Sequence, residues 1–173
     1  MSLLLVFVFL GSSALADDPD IEYKIKAGYL YNFTKFITWR QDASSTFNIC
    51  ILDEDPFGNL IDPIESRAVG GKAIKLFRIN KINNNQHCHI VYVNKLVGDA
   101  FARNNRFTAK ETENTLFVGE GDFFATKLGM GFITREGKIK LTIQLQKVQQ
   151  NGLQISAKLL EVAELIVENH DAQ

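Results

Sequence analysis

Two short apolar runs decide the fold: Phe47-Asn48-Ile49-Cys50-Ile51-Leu52 and His89-Ile90-Val91-Tyr92-Val93. Each has the length of a strand, and both are rich in the β-branched and aromatic residues that strands favour. Strands that are apolar on both faces are typical of parallel sheets covered by helices on each side. The two runs therefore predict a buried, largely parallel sheet at the centre of an α/β domain.

The segments around these runs supply the remaining elements. Residues 73–79 alternate strictly and predict a strand near a sheet edge, and residues 115–118 predict another short strand. Residues 132–134 and 139–143 flank a four-residue connection typical of a β-hairpin, which makes the sheet mixed. The pattern as a whole predicts a three-layer α/β/α sandwich with a mixed, largely parallel sheet and a C-terminal helix.

Helical spacing marks both ends of the domain. The first helix is predicted over residues 21–39, with a core-facing stripe of Ile21, Ile25, Tyr29, Phe33 and Phe36. The last is predicted over residues 151–169, with Leu153, Leu160, Ala163 and Val167 on one side. Both stripes are expected to close the domain against the sheet.

The N-terminal residues have the pattern of an export signal. An uninterrupted apolar run over residues 3–10 is too short to span a bilayer, and Ala14-Leu15-Ala16 supplies the small residues that a signal peptidase reads. We therefore predict a cleavable signal peptide over residues 1–16 and one domain over residues 17–173. The alternative is that the apolar run forms a buried N-terminal strand.

Composition excludes several classes of partner. The 173 residues carry a formal net charge of -1, with 46% hydrophobic and 23% charged residues, as in an ordinary globular protein. Without a basic block, the chain is expected to bind neither nucleic acid nor an anionic membrane surface, and no direct membrane insertion is expected.

Two polar clusters have the residue types of a metal site. Asp53, Glu54 and Asp55 follow the first buried run and could hold Mg²⁺, but Asp55 with Pro56 also suits the N-terminus of a short helix reaching Ile64, and we favour that reading. In the run His87-Cys88-His89 neighbouring side chains point to opposite faces of a strand, so at most two could bind one ion. Cys50 or His170 could be a further ligand, but no metal is expected here.

Cys50 and Cys88 lie on segments that can be neighbours in the sheet. Two cysteines in an exported chain favour pairing, whereas buried cysteines on parallel strands often remain reduced, so a disulfide or redox pair and two buried thiols both stay open.

The remaining candidates point to binding rather than to catalysis. No nucleophile elbow, phosphate-binding loop or dinucleotide fingerprint follows a strand, so we predict neither an enzyme nor a cofactor. Arg78 and Arg135 could each contact an anionic ligand. Tyr31 and Trp39 fall off the apolar stripe of the first helix, and their rings could belong to a protein interface.

The order of these motifs resembles the YfiR family of periplasmic proteins. The resemblance lies in residues 26–39 of the first helix, the Ile-Cys strand at 49–50 with Asp55-Pro56-Phe57-Gly58, the Cys-His strand at 88–93, and the Gly129-Met130 element. It also includes Asn151 to Leu160 near the C-terminus, and so covers nearly all of the predicted mature chain. Leu128, Gly131 and Gln144 depart from the usual family residues.

The resemblance implies a periplasmic regulator that binds the periplasmic portion of an inner-membrane diguanylate cyclase and represses it. Cyclic di-GMP signalling and biofilm formation would fall as a result, and the protein would be a homodimer without catalytic activity. Two other hypotheses stay open: a periplasmic small-molecule sensor or carrier with another partner, and a thiol or metal enzyme around Cys50, Cys88 and His89.

Overall fold

The computed structural model describes residues 19–82, 87–104 and 112–166. The predicted signal peptide, residues 1–16, lies outside this part of the chain. No helix in the described part has the length and hydrophobicity needed to cross a bilayer. In chain order the elements are α1 (Pro19–Phe36), β1 (Ile37–Thr38), β2 (Thr46–Leu52), two 3₁₀ helices (Gly58–Leu60 and Asp62–Ser66), β3 (Ala68–Val69), β4 (Lys72–Ile79), β5 (Ile90–Val93), α2 (Lys95–Asn104), β6 (Leu116–Glu120), α3 (Gly121–Leu128), β7 (Gly129–Arg135), β8 (Lys138–Ile143), α4 (Leu145–Gln150), β9 (Gln154–Ile155), α5 (Ala157–Leu160) and β10 (Glu164–Leu165).

Eight of the described strands form a mixed sheet in the order β10-β8-β7-β6-β5-β2-β4-β3, and β1 and β9 form a separate two-stranded sheet. The pairs among β4, β2, β5, β6 and β7 are all parallel, as is β10 with β8, whereas β3 with β4 and β7 with β8 are antiparallel. This confirms the α/β class, the largely parallel sheet and the 132–143 hairpin. It also places β4 next to one edge, as its alternating sequence predicted.

Alternate residues of β2 enter two separate cores. Ile49 and Ile51 join the cluster under α1, while Cys50 and Leu52 join a smaller cluster that includes Phe124 of α3. Helices therefore cover both faces of the sheet, which is why β2 and β5 are apolar on both sides.

The predicted stripe of α1 is wrong at its N-terminal end. Ile21 and Ile25 are 55% and 44% exposed, and Ala27 and Leu30, which the stripe left out, are buried. Phe33 is buried as predicted. Lys26 lies on this buried face with a relative exposure of 2%. A pattern that counts only apolar residues places lysine outside, so it selected a face rotated away from the true one.

The long C-terminal helix predicted over residues 151–169 does not form in its described part. Gly152, with φ +81°, ends the helical path, and β9 pairs with β1 instead. A single turn, α5, follows, and β10 then joins the sheet edge. Leu153 just before β9, Leu160 at the end of α5 and Ala163 just before β10 still contact the core. Spacing alone therefore could not distinguish this broken path from one helix. Residues 167–169 lie outside the described part.

The short helix predicted after Asp55 is replaced by two 3₁₀ helices. Asp55 Oδ1 accepts a hydrogen bond from the Phe57 amide at 2.7 Å, so Asp55 holds a tight turn and is not the N-cap of an α-helix. Its Oδ2 pairs with Arg78 Nε at 2.6 Å.

Two neighbouring glycines let α3 lie against the sheet. Gly119 of β6 and Gly131 of β7 are paired in register, and a Cβ on Gly131 would lie 2.4 Å from the Gly121 carbonyl oxygen. We therefore expect Gly131→Ala to lower the free energy of unfolding by about 1–3 kcal/mol through overpacking. Urea denaturation would measure the loss.

Gly28→Ala is the matched control for this substitution. Gly28 is exposed within α1, and a Cβ there would contact nothing within 4 Å. Alanine should therefore stabilise the helix by about 0.5–1 kcal/mol. Equal effects of the two substitutions would contradict the close approach of α3 to β7.

Candidate functional site

A candidate site is a cleft of about 810 Å³ at the carboxyl ends of β6 and β7. In parallel sheets this edge is where ligands commonly bind, because loops and helix N-termini meet there. The first turns of α1 and α2 form its other walls. Its lining contains charged residues of both signs and three aromatic rings: Glu22, Tyr23, Lys95, Asp99, Glu120, Gly121, Asp122, Phe123, Phe132, Ile133, Thr134 and Arg135.

A buried charge network forms the floor of this cleft. Lys26 Nζ donates to Glu120 Oε1 at 2.5 Å and also to Glu22, and the Tyr92 hydroxyl donates to the same Glu120 oxygen at 2.7 Å. Burial alone would lower the pKa of Lys26, but the hydrogen bonds to Glu120 and Glu22 outweigh it and raise that pKa. Burial and the Glu120 charge raise the pKa of Tyr92. Lys26 therefore stays charged and Tyr92 stays a donor.

The structure separates the two candidate arginines. Arg135 lines the cleft, where Nε donates to Glu164 at 2.9 Å and Nη2 lies 3.6 Å from Asp122. Arg78 lies on β4 and clamps the turn after β2 through Asp55, Asp62 and the Gly58 carbonyl. Only Arg135 is therefore placed where a ligand in the cleft could reach it.

The candidate interface residues Tyr31 and Trp39 are both half-buried. Trp39 Nε1 donates to the His89 carbonyl at 3.2 Å, and its ring meets Phe47 edge-on at 5.0 Å. Lys35 Nζ lies over the Tyr31 ring, 4.2 Å from its centroid, in a cation–π contact. These internal contacts leave only part of each ring for a partner.

Cys50 and Cys88 are joined by a disulfide with a Cα–Cα distance of 5.8 Å. It connects β2 to the segment just before β5 and encloses a sequence separation of 38 residues. Both sulfurs are buried in the smaller core. Cys50 is therefore not available to a metal alongside His87 and His89.

Sequence reasoning missed Asp42, which lies beside both histidines. The ligand atoms of Asp42, His87 and His89 lie within 4.8 Å of one another, which is close enough for one metal ion to contact all three. His170, the other candidate ligand, lies outside the described residues. Asp42 had no sequence signal, because it comes from a loop 47 positions from His89 that only the fold brings into contact.

The hydrogen bonds of this cluster oppose metal binding. The backbone N–H of Asn48 donates to His89 Nδ1 at 2.9 Å, so the imidazole proton is on Nε2. Nε2 lies 2.8 Å from Asp42 Oδ2. A metal bound to Nε2 would use the lone pair of that nitrogen, so the imidazole proton would have to move to Nδ1. There it would face the backbone N–H of Asn48, and two donors would point at each other. Lys72 already donates to the other Asp42 oxygen at 2.6 Å. The cluster is therefore a hydrogen-bonded junction.

The acidic run after β2 is also engaged in structural contacts. The Glu54 carbonyl accepts from Asn94 Nδ2 at 2.8 Å, and Asp55 is bound to Arg78. The Asn94–Glu54 hydrogen bond joins the loops after β2 and β5. The strand order reverses between these two strands, and at such a point an open α/β sheet commonly has a ligand-binding crevice.

Comparison with known proteins agrees with the order of motifs in the chain. The family model described as YfiR/HmsC-like matches residues 23–164, more than half of the sequence. No curated protein matches the chain at a significant level. The matched region runs from the first turns of α1 to β10 and includes the disulfide and all residues of the cleft and its buried charge network except Glu22. The chain therefore belongs to the YfiR/HmsC-like family.

Proposed function

We propose that this protein is a periplasmic regulator that binds the periplasmic portion of an inner-membrane diguanylate cyclase and represses it. Cyclic di-GMP signalling and biofilm formation are lowered as a result. The observation that carries the proposal is the family match over residues 23–164. In this proposal residues 1–16 are a signal peptide removed on export, the mature protein is a homodimer, and its role is binding without catalysis.

Deleting the gene tests this function directly. Cyclic di-GMP and surface attachment should rise in the deletion strain, and expression of the wild-type chain should restore both. The increase should disappear when the cyclase also carries an inactivating substitution in its catalytic domain. Unchanged cyclic di-GMP in the deletion strain, with the cyclase expressed, would refute the proposal.

The cleft supports a second candidate function, a periplasmic small-molecule sensor or carrier with another partner. Its volume of about 810 Å³ and its mixed charges suit a polar ligand, and Arg135 could contact an anionic group on it. Native mass spectrometry of protein purified from the periplasm would detect a retained ligand. Arg135→Gln should abolish retention, and Arg78→Gln, outside the cleft, should not.

A further inference from the structure

His89 is held by both of its ring nitrogens at the amino end of the sheet. Its side chain is 3% exposed, and its ring stacks on Phe47 with the centroids 4.4 Å apart. Nδ1 accepts from the Asn48 amide and Nε2 faces Asp42, so the neutral imidazole has one defined tautomer.

The backbone of His89 joins several segments. Its amide donates to the Asn48 carbonyl of β2 at 2.9 Å. Its carbonyl accepts both from the Leu116 amide of β6 at 2.8 Å and from Trp39 Nε1 at 3.2 Å. A movement of this residue would therefore loosen β2, β5 and β6 together.

A second proton on the ring would disrupt this arrangement. Protonated Nδ1 becomes a donor, so it would face the Asn48 N–H at 2.9 Å with no acceptor between the two nitrogens. Three charged or titratable groups face the ring: Asp42 from the loop before β2 favours the proton, and Lys72 from β4 and His87 from its own segment oppose it. Burial of the ring, the largest influence on its pKa, also opposes a charge.

We propose that His89 is an acid-sensitive latch: protonation of its Nδ1 breaks the contact with β2 and opens the amino end of the sheet around Trp39. In a periplasmic protein, whose compartment takes up the pH of the medium, the latch would couple external acidity to the regulator. That consequence rests on the proposed function, whereas the latch itself does not.

The energetics have a definite sign. Burial lowers the pKa of His89 to about 4, although Asp42 acts in the opposite direction. The closed form therefore binds a proton less readily than an exposed histidine, and its stability falls as the pH drops from about 6.5 to about 4. At pH 5 the ratio of opened to closed protein should be about 20-fold higher than at pH 7, if the opened form has an ordinary histidine.

Trp39 is the single tryptophan of the chain and reports the latch directly. We expect its fluorescence to change as the pH falls through this window, with the ring leaving the contacts to His89 and Phe47. His89→Asn, whose amide oxygen can still accept from the Asn48 amide, should abolish the change above pH 4. His87→Asn is the matched control on the same segment, and it should retain the change.

Histidine NMR of the wild-type protein tests the latch even if the His89→Asn variant fails to fold. His89 should titrate well below an ordinary histidine, with the resonance assigned by elimination using the His87→Asn and His170→Asn variants. An ordinary titration of His89, an unchanged Trp39 signal down to pH 4, or the same transition in His89→Asn would overturn the latch. Binding of the purified periplasmic segment of the cyclase, measured at pH 7 and pH 5, separates the two proposals. No binding at either pH would refute the proposed function as a cyclase repressor, whereas the latch is refuted only by the spectroscopic results.

Discussion

Lys26→Met is expected to lower the free energy of unfolding by about 3–5 kcal/mol. Lys26 is 2% exposed, and its ammonium group is shared between Glu120 and Glu22 beneath the cleft. Methionine fills a similar volume but leaves the largely buried Glu120 carboxylate with Tyr92 as its remaining partner. The loss therefore comes from an uncompensated buried charge rather than from a cavity, and urea denaturation at pH 7 would measure it.

The double variant Lys26→Met with Glu120→Gln is the control that separates these causes. A neutral glutamine can still accept from the Tyr92 hydroxyl, so most of the lost stability should return. If the free energy of unfolding of Lys26→Met lay within about 1 kcal/mol of the wild-type value, the buried ion pair would not be a major source of stability. A double variant as unstable as the single one would show that Lys26 acts through packing.

Loss of the disulfide should cost about 2–4 kcal/mol. The bond encloses a separation of 38 residues, which contains β4 and both 3₁₀ helices, so opening it frees a large loop in the unfolded chain. Paired substitutions Cys50→Ala and Cys88→Ala should lower the denaturation midpoint, and the reduced wild-type protein should behave alike.

Reductant added to the paired alanine variant is the matched control, because that variant has no disulfide to lose and its midpoint should not move. An identical midpoint for oxidised and reduced wild-type protein would show that the bond contributes nothing. If the expected loss is observed, thiol state becomes a candidate input to the regulator, since a change of this size is a large fraction of a typical folding free energy.

The sequence alone specified the parts of the fold whose signals are local. The runs 47–52 and 89–93 are apolar on both faces because helices cover both sides of the sheet, and that composition is visible without any structure. The hairpin was readable for the same reason, since a short connection between two alternating strands constrains their pairing. The motif order identified the family.

The tertiary structure decided what depends on distant partners. Lys26 is buried because Glu120, 94 residues away, receives its charge, and this contact sets the face of α1 that spacing misassigned. Asp42 and His89 come into contact only because the loop before β2 crosses the amino end of the sheet. Residues 154–155, predicted as part of the C-terminal helix, instead form β9 and pair with β1. The periodicity of a sequence shows which residues are apolar. Whether a charge can be buried, or a short strand can pair, depends on the partner side chain or strand that it meets, and only the folded chain brings that partner into contact.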